Sequence, residues 1–197
     1  MCISGTRKGA QTDPGSFRDW SNRVLVDESV IYRGLMANAF KDWEHLSATH
    51  LFKRFTDSGK LIPTRQLESA PLTTERTEFI SWLQHERIPF ISYAYEWPFG
   101  MLKDAALLQL ELLLAALDED MTLKDGSPYN VQWLGAHPVF IDIPSFTRDG
   151  ADGPWPGYSQ FCQLFLYPLL LTAYKRIPFQ PWLKGSLEGI GPAVAGD

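Results

Sequence analysis

Cysteine is nearly missing from this chain: Cys2 and Cys162 are two among 197 residues, one at the terminus and one in a strongly apolar stretch, which argues against a disulfide scaffold and for a reduced, cytoplasmic setting. Histidine is scarce too. His45, His50, His85 and His137 form no metal-ligand spacing with one another or with cysteine, so no zinc site is expected. The net charge of -5 comes without any basic block, which leaves no electrostatic footprint for nucleic acid. No positive, apolar and small-residue segments follow one another in secretory order at the N-terminus. Long hydrophobic runs are also wanting. MLKDAALLQLELLLAAL, from Met101 to Leu117, is interrupted by Lys103, Asp104, Gln109 and Glu111, and FCQLFLYPLLLTAY falls short of the roughly 20 residues that a bilayer demands. Neither nucleic acid nor membrane is an expected partner; a small-molecule substrate is.

What the chain has is apolar substance, 45% hydrophobic and 13% aromatic, enough for the core of one domain, or of one domain and a small appendage. Residues 1–16 read as a polar, disordered lead-in. RVLVDESVIYRGL, Arg23 to Leu35, alternates around Asp-Glu-Ser and predicts a hairpin. Phe40, Trp43, Leu46, Leu51, Phe52 and Phe55 recur at helical intervals and predict one amphipathic helix, stopped by Ser58-Gly59. LIPTRQL predicts a short strand, at an edge or a bulge because of Pro63. TTERTEFISWLQHE, Thr73 to Glu86, predicts a second helix, and RIPFISYAY, Arg87 to Tyr95, a strand. A turn at Glu96-Trp97-Pro98 leads into a long helix from Phe99 to about Leu117, apolar nearly all round and so expected inside the domain. Another buried helix runs to about Tyr174, with Pro168 as a kink. There is no internal repeat and no heptad run. The expected division is an N-terminal lobe over 17–95, a helical lobe over 96–184 and a patternless tail over 185–197.

The chemistry-bearing stretch is LKDGSPYNVQWLGAHPVFIDIPSF, residues 123 to 146. If NVQWL and PVFID form a hairpin with the three-residue loop Gly135-Ala136-His137, counting back sets Val131 opposite Ile141 and Asn130 opposite Asp142. Directly opposed residues have Cβ atoms about 4.5–5.5 Å apart on one face. Mg²⁺ asks for oxygen donors and takes only one or two carboxylates from protein, a demand Asn130 and Asp142 meet. Asp125, held in a loop by Pro128, could take the proton of an attacking hydroxyl. A base followed five residues later by an Asn ligand, and then across a hairpin by an Asp ligand, is the division of labour in kinase-type phosphoryl transfer. The plainer reading of Asp125 is a turn residue bonded to its own backbone, and of His137 a solvated hairpin tip.

KDGSPYN resembles the catalytic loop of the protein-kinase-like superfamily, including the aminoglycoside-phosphotransferase type, and VFID resembles its metal-binding strand. That resemblance implies an α+β, protein-kinase-like fold with a small β-containing N-terminal lobe and a mainly helical C-terminal lobe carrying a catalytic-loop hairpin. It implies Mg²⁺ and ATP as cofactors. It assigns Arg33 the place of the phosphate-holding lysine, Glu44 that of its ion-pair partner, and Lys124 the middle of the His-Arg-Asp pattern, here Leu123-Lys124-Asp125. Asp142-Ile143-Pro144 stands in place of Asp-Phe-Gly. Asp27-Glu28-Ser29 is too short for a Gly-rich loop, so a degenerate, pseudokinase form is also implied.

SYAYEWPFGMLKDAALLQLELL and WPGYSQFCQLFLYPLLLTAYK, together with the stretch above, resemble the N-terminal region of bacterial SAM-dependent methyltransferase-family proteins, some of them nodulation-related. This second resemblance covers most of the chain and implies a methyltransferase domain in the same gene. EGIGPAVAG has no Rossmann unit around it, so SAM is not expected to bind this chain. On this side the expectation is a non-catalytic substrate-recognition module, or the N-terminal part of a methyltransferase.

Overall fold

The alternating residues around Asp27 fold as the hairpin their pattern demands. The computed structural model describes residues 11–12, 21–27, 30–71 and 78–195, and these divide into two units: one within Met1–Glu44 and Pro63–Arg87, the other within His45–Ile62 and Ile88–Asp197. Together the elements make an α+β chain, with small antiparallel sheets and helices.

In the first unit β1 (Gln11–Thr12), β2 (Asn22–Asp27), β3 (Val30–Leu35), β4 (Thr64–Leu67) and β5 (Ser81–His85) form one antiparallel sheet in the order β1-β2-β3-β5-β4. The pairing Asp27↔Val30 leaves two residues to connect β2 with β3. The expected lead-in lies outside the described residues except for Gln11 and Thr12, which pair with Val26 and Leu25. Leu25, Phe79 and Trp82 form the core of this unit with Tyr32, Met36 and Leu67 against them. Gly34 lets the Phe79 ring lie on the strand, for a Cβ there would stand 2.6 Å from the ring.

Thr73–Glu86 does not form the expected helix. Its first part lies outside the described residues, and its end is β5, the strand between β3 and β4. Ser81, Trp82, Leu83 and His85 are all buried, so the strand is covered on both faces and shows no alternation to read. His85 makes one contact to Thr64, Oγ1 to Nδ1 at 2.8 Å. Burial, and then the Arg33 charge, hold its pKa well below the ordinary imidazole value. Below pH about 6.5 the unfolded chain therefore takes a proton that the folded chain refuses, and stability falls as pH drops from there. Urea titrations at pH 7.5 and 5.5 should show a smaller acid loss in His85→Leu than in wild type. Equal losses would show that His85 has no part in it.

α1 (Ala37–Ala48) and α2 (His50–Asp57) replace the one helix expected from Phe40 to Phe55. Thr49 breaks it: with φ -78° and ψ 154° it caps α2, its hydroxyl accepting from Phe52 N, the ordinary N-cap role of threonine. In the second unit α3 (Phe99–Leu117) has the length expected and is buried through Leu102, Ala105, Leu108, Gln109 and Leu112, but it is not enclosed as its apolar composition predicted, since Leu107, Leu110, Leu114 and Leu117 are exposed. Before it, Arg87–Tyr95 is loop, not strand, and ends in a 3-10 turn at Ala94–Glu96. Buried Gln132 holds that loop by exchanging two hydrogen bonds with Ser92, each 3.0 Å. Trp97 Nε1 also donates to the Ser92 hydroxyl.

Residues 158–175 run as one helical rod, α4 (Tyr158–Phe161), wide π turns at Cys162–Leu166, α5 (Tyr167–Leu170) and further π turns at Leu171–Lys175. The widening adjoins Pro168, which has no N–H to give and whose ring crowds the carbonyl four residues back. α6 (Gln180–Gly185) ends the expected helical lobe, and the expected patternless tail carries α7 (Pro192–Ala195). Among the described residues no helix is long and apolar enough to cross a membrane.

Candidate functional site: two loops closed by nested ribbons

Four short strands follow α3 and pair from the outside in. β6 (Thr122–Leu123) pairs with β9 (Phe146–Thr147), and β7 (Val131–Leu134) with β8 (His137–Phe140). Two loops, one leading from β6 to β7 and one from β8 to β9, are thus left facing each other. Backbone bonds close them at both ends. Lys124 N donates to Ser145 O at 2.8 Å, and Ile141 N donates to Asn130 O at 2.8 Å. The outcome is a closed ring of backbone. Asp125 is the first residue inside one closure, Asn130 forms the other, and Asp142 is the first residue beyond it. All three are half-buried.

Local chemistry shapes each loop. Ser127 caps the 3-10 turn Pro128–Asn130, its hydroxyl accepting from Tyr129 N, and Pro128 supplies a preset φ at the first position. Asp142 opens the 3-10 turn Ile143–Ser145, its carbonyl accepting from Ser145 N at 3.0 Å. The loop with Asp125 is also held from behind. Gln109, wholly buried on α3, donates its amide to Asp125 O at 2.8 Å, and Gly126 N donates to Gln160 Oε1 at 2.9 Å. Trp155 Nε1 reaches Leu123 O at 2.7 Å.

The hairpin register differs by one residue from that expected. The connection is the two-residue turn Gly135-Ala136, with His137 already paired to Leu134 and Val131 opposite Phe140. Gly135 takes a left-handed φ of 61°, the backbone that a tight hairpin turn requires. Asn130 therefore stands opposite Ile141, and Asp142 is the next residue along. Since a one-residue slip reverses which face a side chain takes, the shared face argued from the sequence is lost: Asn130 is paired with Ile141, and what joins the two loops that carry Asn130 and Asp142 is the backbone closure. One buried amide nitrogen of Asn130 has no hydrogen-bond partner among the described residues.

Lys124 is the closing residue of the ring, half-buried, while Arg33 and Glu44 belong to the other unit. There Arg33 Nη1 donates to Asn22 Oδ1 at 2.7 Å on the neighbouring strand, and Glu44 lies exposed on α1. Sequence reasoning missed Gln109 and Gln160. Gln109 had a signal, as a polar residue on the buried stripe of an apolar helix. Gln160 had none. Among the described residues no three His, Cys, Asp or Glu side chains stand close enough together to hold a metal.

The class defined so far is an α+β chain with a two-loop site on nested ribbons. No protein-family model matches it. The chain is similar to the nodulation protein NoeA of Rhizobium meliloti (strain 1021), at 38% identity over 181 residues, which take in 91% of this chain and 37% of NoeA. It thus spans well under half the length of that relative. Two solved structures of WbdD overlap it weakly. A low-resolution structure with its C-terminal bundle ordered gives a TM-score of 0.40 at 19% identity, over 76% of this chain and 32% of WbdD. The co-crystal with the kinase inhibitor LY294002 gives 0.37 at 16% identity, over 90% and 42%. Scores this low carry nothing about fold or chemistry.

Proposed function

We propose that this chain is a kinase-like domain that binds Mg²⁺ and a nucleotide or another phosphorylated ligand at the two-loop ring, and passes a phosphoryl group to a small hydroxylated acceptor. The supporting observation is the ring itself: two backbone closures of 2.8 Å that gather Asp125, Asn130 and Asp142 from one short stretch. The donor set suits a hard cation, one carboxylate and one amide oxygen, while the unpartnered amide nitrogen of Asn130 is a donor that would be left for a phosphate oxygen of the ligand. Asn130 and Asp142 would hold the ion, which supplies charge for phosphate oxygens. Asp125 would accept the hydroxyl proton as the acceptor oxygen bonds the terminal phosphorus and the bond to the leaving phosphate breaks.

Thermal melting tests this. A ligand that binds only the folded form stabilises it by about 2.7 kcal/mol at a hundredfold excess over its Kd. Mg²⁺-ATP should raise the wild-type midpoint, Asp142→Asn should abolish the rise, and Asp125→Asn should keep it while losing turnover. An unmoved wild-type midpoint sinks the proposal.

One observation favours a second reading, a non-catalytic module that presents substrate to a methyltransferase domain. The two residues between β2 and β3, Glu28 and Ser29, are too few and lack the glycines of a phosphate-covering Gly-rich loop. In that case Mg²⁺-ATP shifts nothing, S-adenosylmethionine shifts nothing, and only the acceptor substrate does.

A further inference from the structure

Helix α3 buries one side, and its other side is not polar. Leu107, Leu110, Leu114 and Leu117 are 57%, 36%, 65% and 44% exposed, at successive spacings of three, four and three residues. This is the a/d spacing of a coiled coil, two a/d pairs long, which offers leucine knobs to the holes of a second helix. It is shorter than the three to four heptads by which a sequence announces such a seam. The occupant it fits is therefore a helix.

Charge says which helix. Glu111, on the flank of the seam, pairs with Lys60 Nζ through both oxygens, at 2.8 and 2.7 Å, an exposed pair that leaves no net charge on that flank. Unlike charges stand instead at the two ends. Lys103 and Asp104 are both exposed in the first turns, but only Lys103 is in line with the seam, four residues before Leu107, while Asp118 and Asp120 are exposed just past the last turn. Lys103 also lies 3.6 Å from Asp104, an exposed pair of the kind worth little.

We propose that α3 is a self-association face: a second copy of this chain packs its own α3 antiparallel on the first about a two-fold axis, Leu107 meeting Leu117 and Leu110 meeting Leu114. An isologous contact of this kind is self-complementary. It sets each Lys103 beside the acidic end of the other copy, whereas parallel packing would bring two acidic ends together. The helix dipoles favour the same direction.

Light scattering and sedimentation equilibrium of the whole 197-residue chain over a wide concentration range test it. Wild type should pass from monomer to dimer. Leu107→Glu with Leu114→Glu should stay monomeric with the circular dichroism and melting of wild type, and Lys103→Glu should weaken the dimer by roughly tenfold. A wild type that is monomeric throughout, or a dimer that survives the leucine substitutions, overturns the proposal. Should those substitutions unfold the chain, Lys103→Glu decides alone, and a dimer it leaves unweakened rules out the antiparallel arrangement.

Discussion

Gly126→Ala is expected to destabilise this chain by more than about 3 kcal/mol, beyond the usual range for an added methyl in a packed site. Gly126 follows Asp125, and a Cβ on it would stand 2.5 Å from Gly157 O, 2.7 Å from Phe161 Cβ and 2.9 Å from Phe161 N. Two of those three atoms are backbone and cannot swing aside. The reverse substitution meets the same wall, because a Cβ on Gly157 would lie 2.6 Å from Gly126 N and 2.7 Å from Asp125 C. Gly157 has an ordinary φ of -78°, so the penalty is one of contact and not of backbone strain. Relief of the clash must move the loop away from α4 and stretch the 2.9 Å bond from Gly126 N to Gln160. The two substitutions should therefore be strongly non-additive, since a gap opened by one accommodates the other. Gly100→Ala is the contrast: nothing lies within 4 Å of its Cβ, and in a helix it should be neutral or stabilising by up to about 1 kcal/mol. Urea denaturation of the three single variants and the double variant gives all four values. A Gly126→Ala chain as stable as wild type would mean that the two backbones are not in contact.

How far the fold was legible depended on how each face meets water. The β2–β3 hairpin was readable because two short half-covered runs of Val, Leu, Ile and Tyr flank Asp27-Glu28-Ser29, and α3 because its apolar run is too long for a strand. β5 was not. With Ser81, Trp82, Leu83 and His85 all buried no period of two survives, and Phe79, Trp82 and Leu83 also satisfy a helical spacing. Arg87–Tyr95 misled in the opposite sense. Its aromatic and β-branched residues carry strand propensity, yet Phe90, Ile91 and Tyr93 are exposed, and the segment is held by the Gln132 amide instead of a ladder. Propensity registers which residues suit a pleated surface, not whether a neighbouring strand is there.

The site shows the same limit one level down. The positions of Asp125, Asn130 and Asp142 along the chain, and the ribbon between them, could be counted from the sequence. The register could not, because Gly135 permits either a two- or a three-residue connection, and the choice moves every opposed pair by one. Nor could counting find the second pair, β6 with β9, since two residues are too short to carry a pattern. That pair closes the ring and ties together the two loops that carry Asp125, Asn130 and Asp142.

Phe140→Ala should be among the damaging core substitutions of the second unit, at about 3–5 kcal/mol. Phe140 is completely buried and stands edge-on to Phe146, ring centres 5.7 Å apart at 72°, an arrangement that adds to simple burial. Its backbone is tied as well: its N–H donates to Lys60 O and its carbonyl accepts from Ile62 N, each at 2.9 Å, around the parallel bridge to Leu61. Those bonds survive truncation of the ring, so the variant should keep its strand and lose its filling. A cavity between β8 and β9 undermines the ring from both sides, because Phe140 immediately precedes the Ile141 closure and Phe146 immediately follows Ser145, the other. Ligand binding should thus weaken along with stability in Phe140→Ala, and both should recover in part in Phe140→Leu, which refills most of the space. Melting with and without Mg²⁺-ATP separates the two quantities. Loss of stability with the ligand shift intact would show that the ring holds its shape without the aromatic pair beneath it.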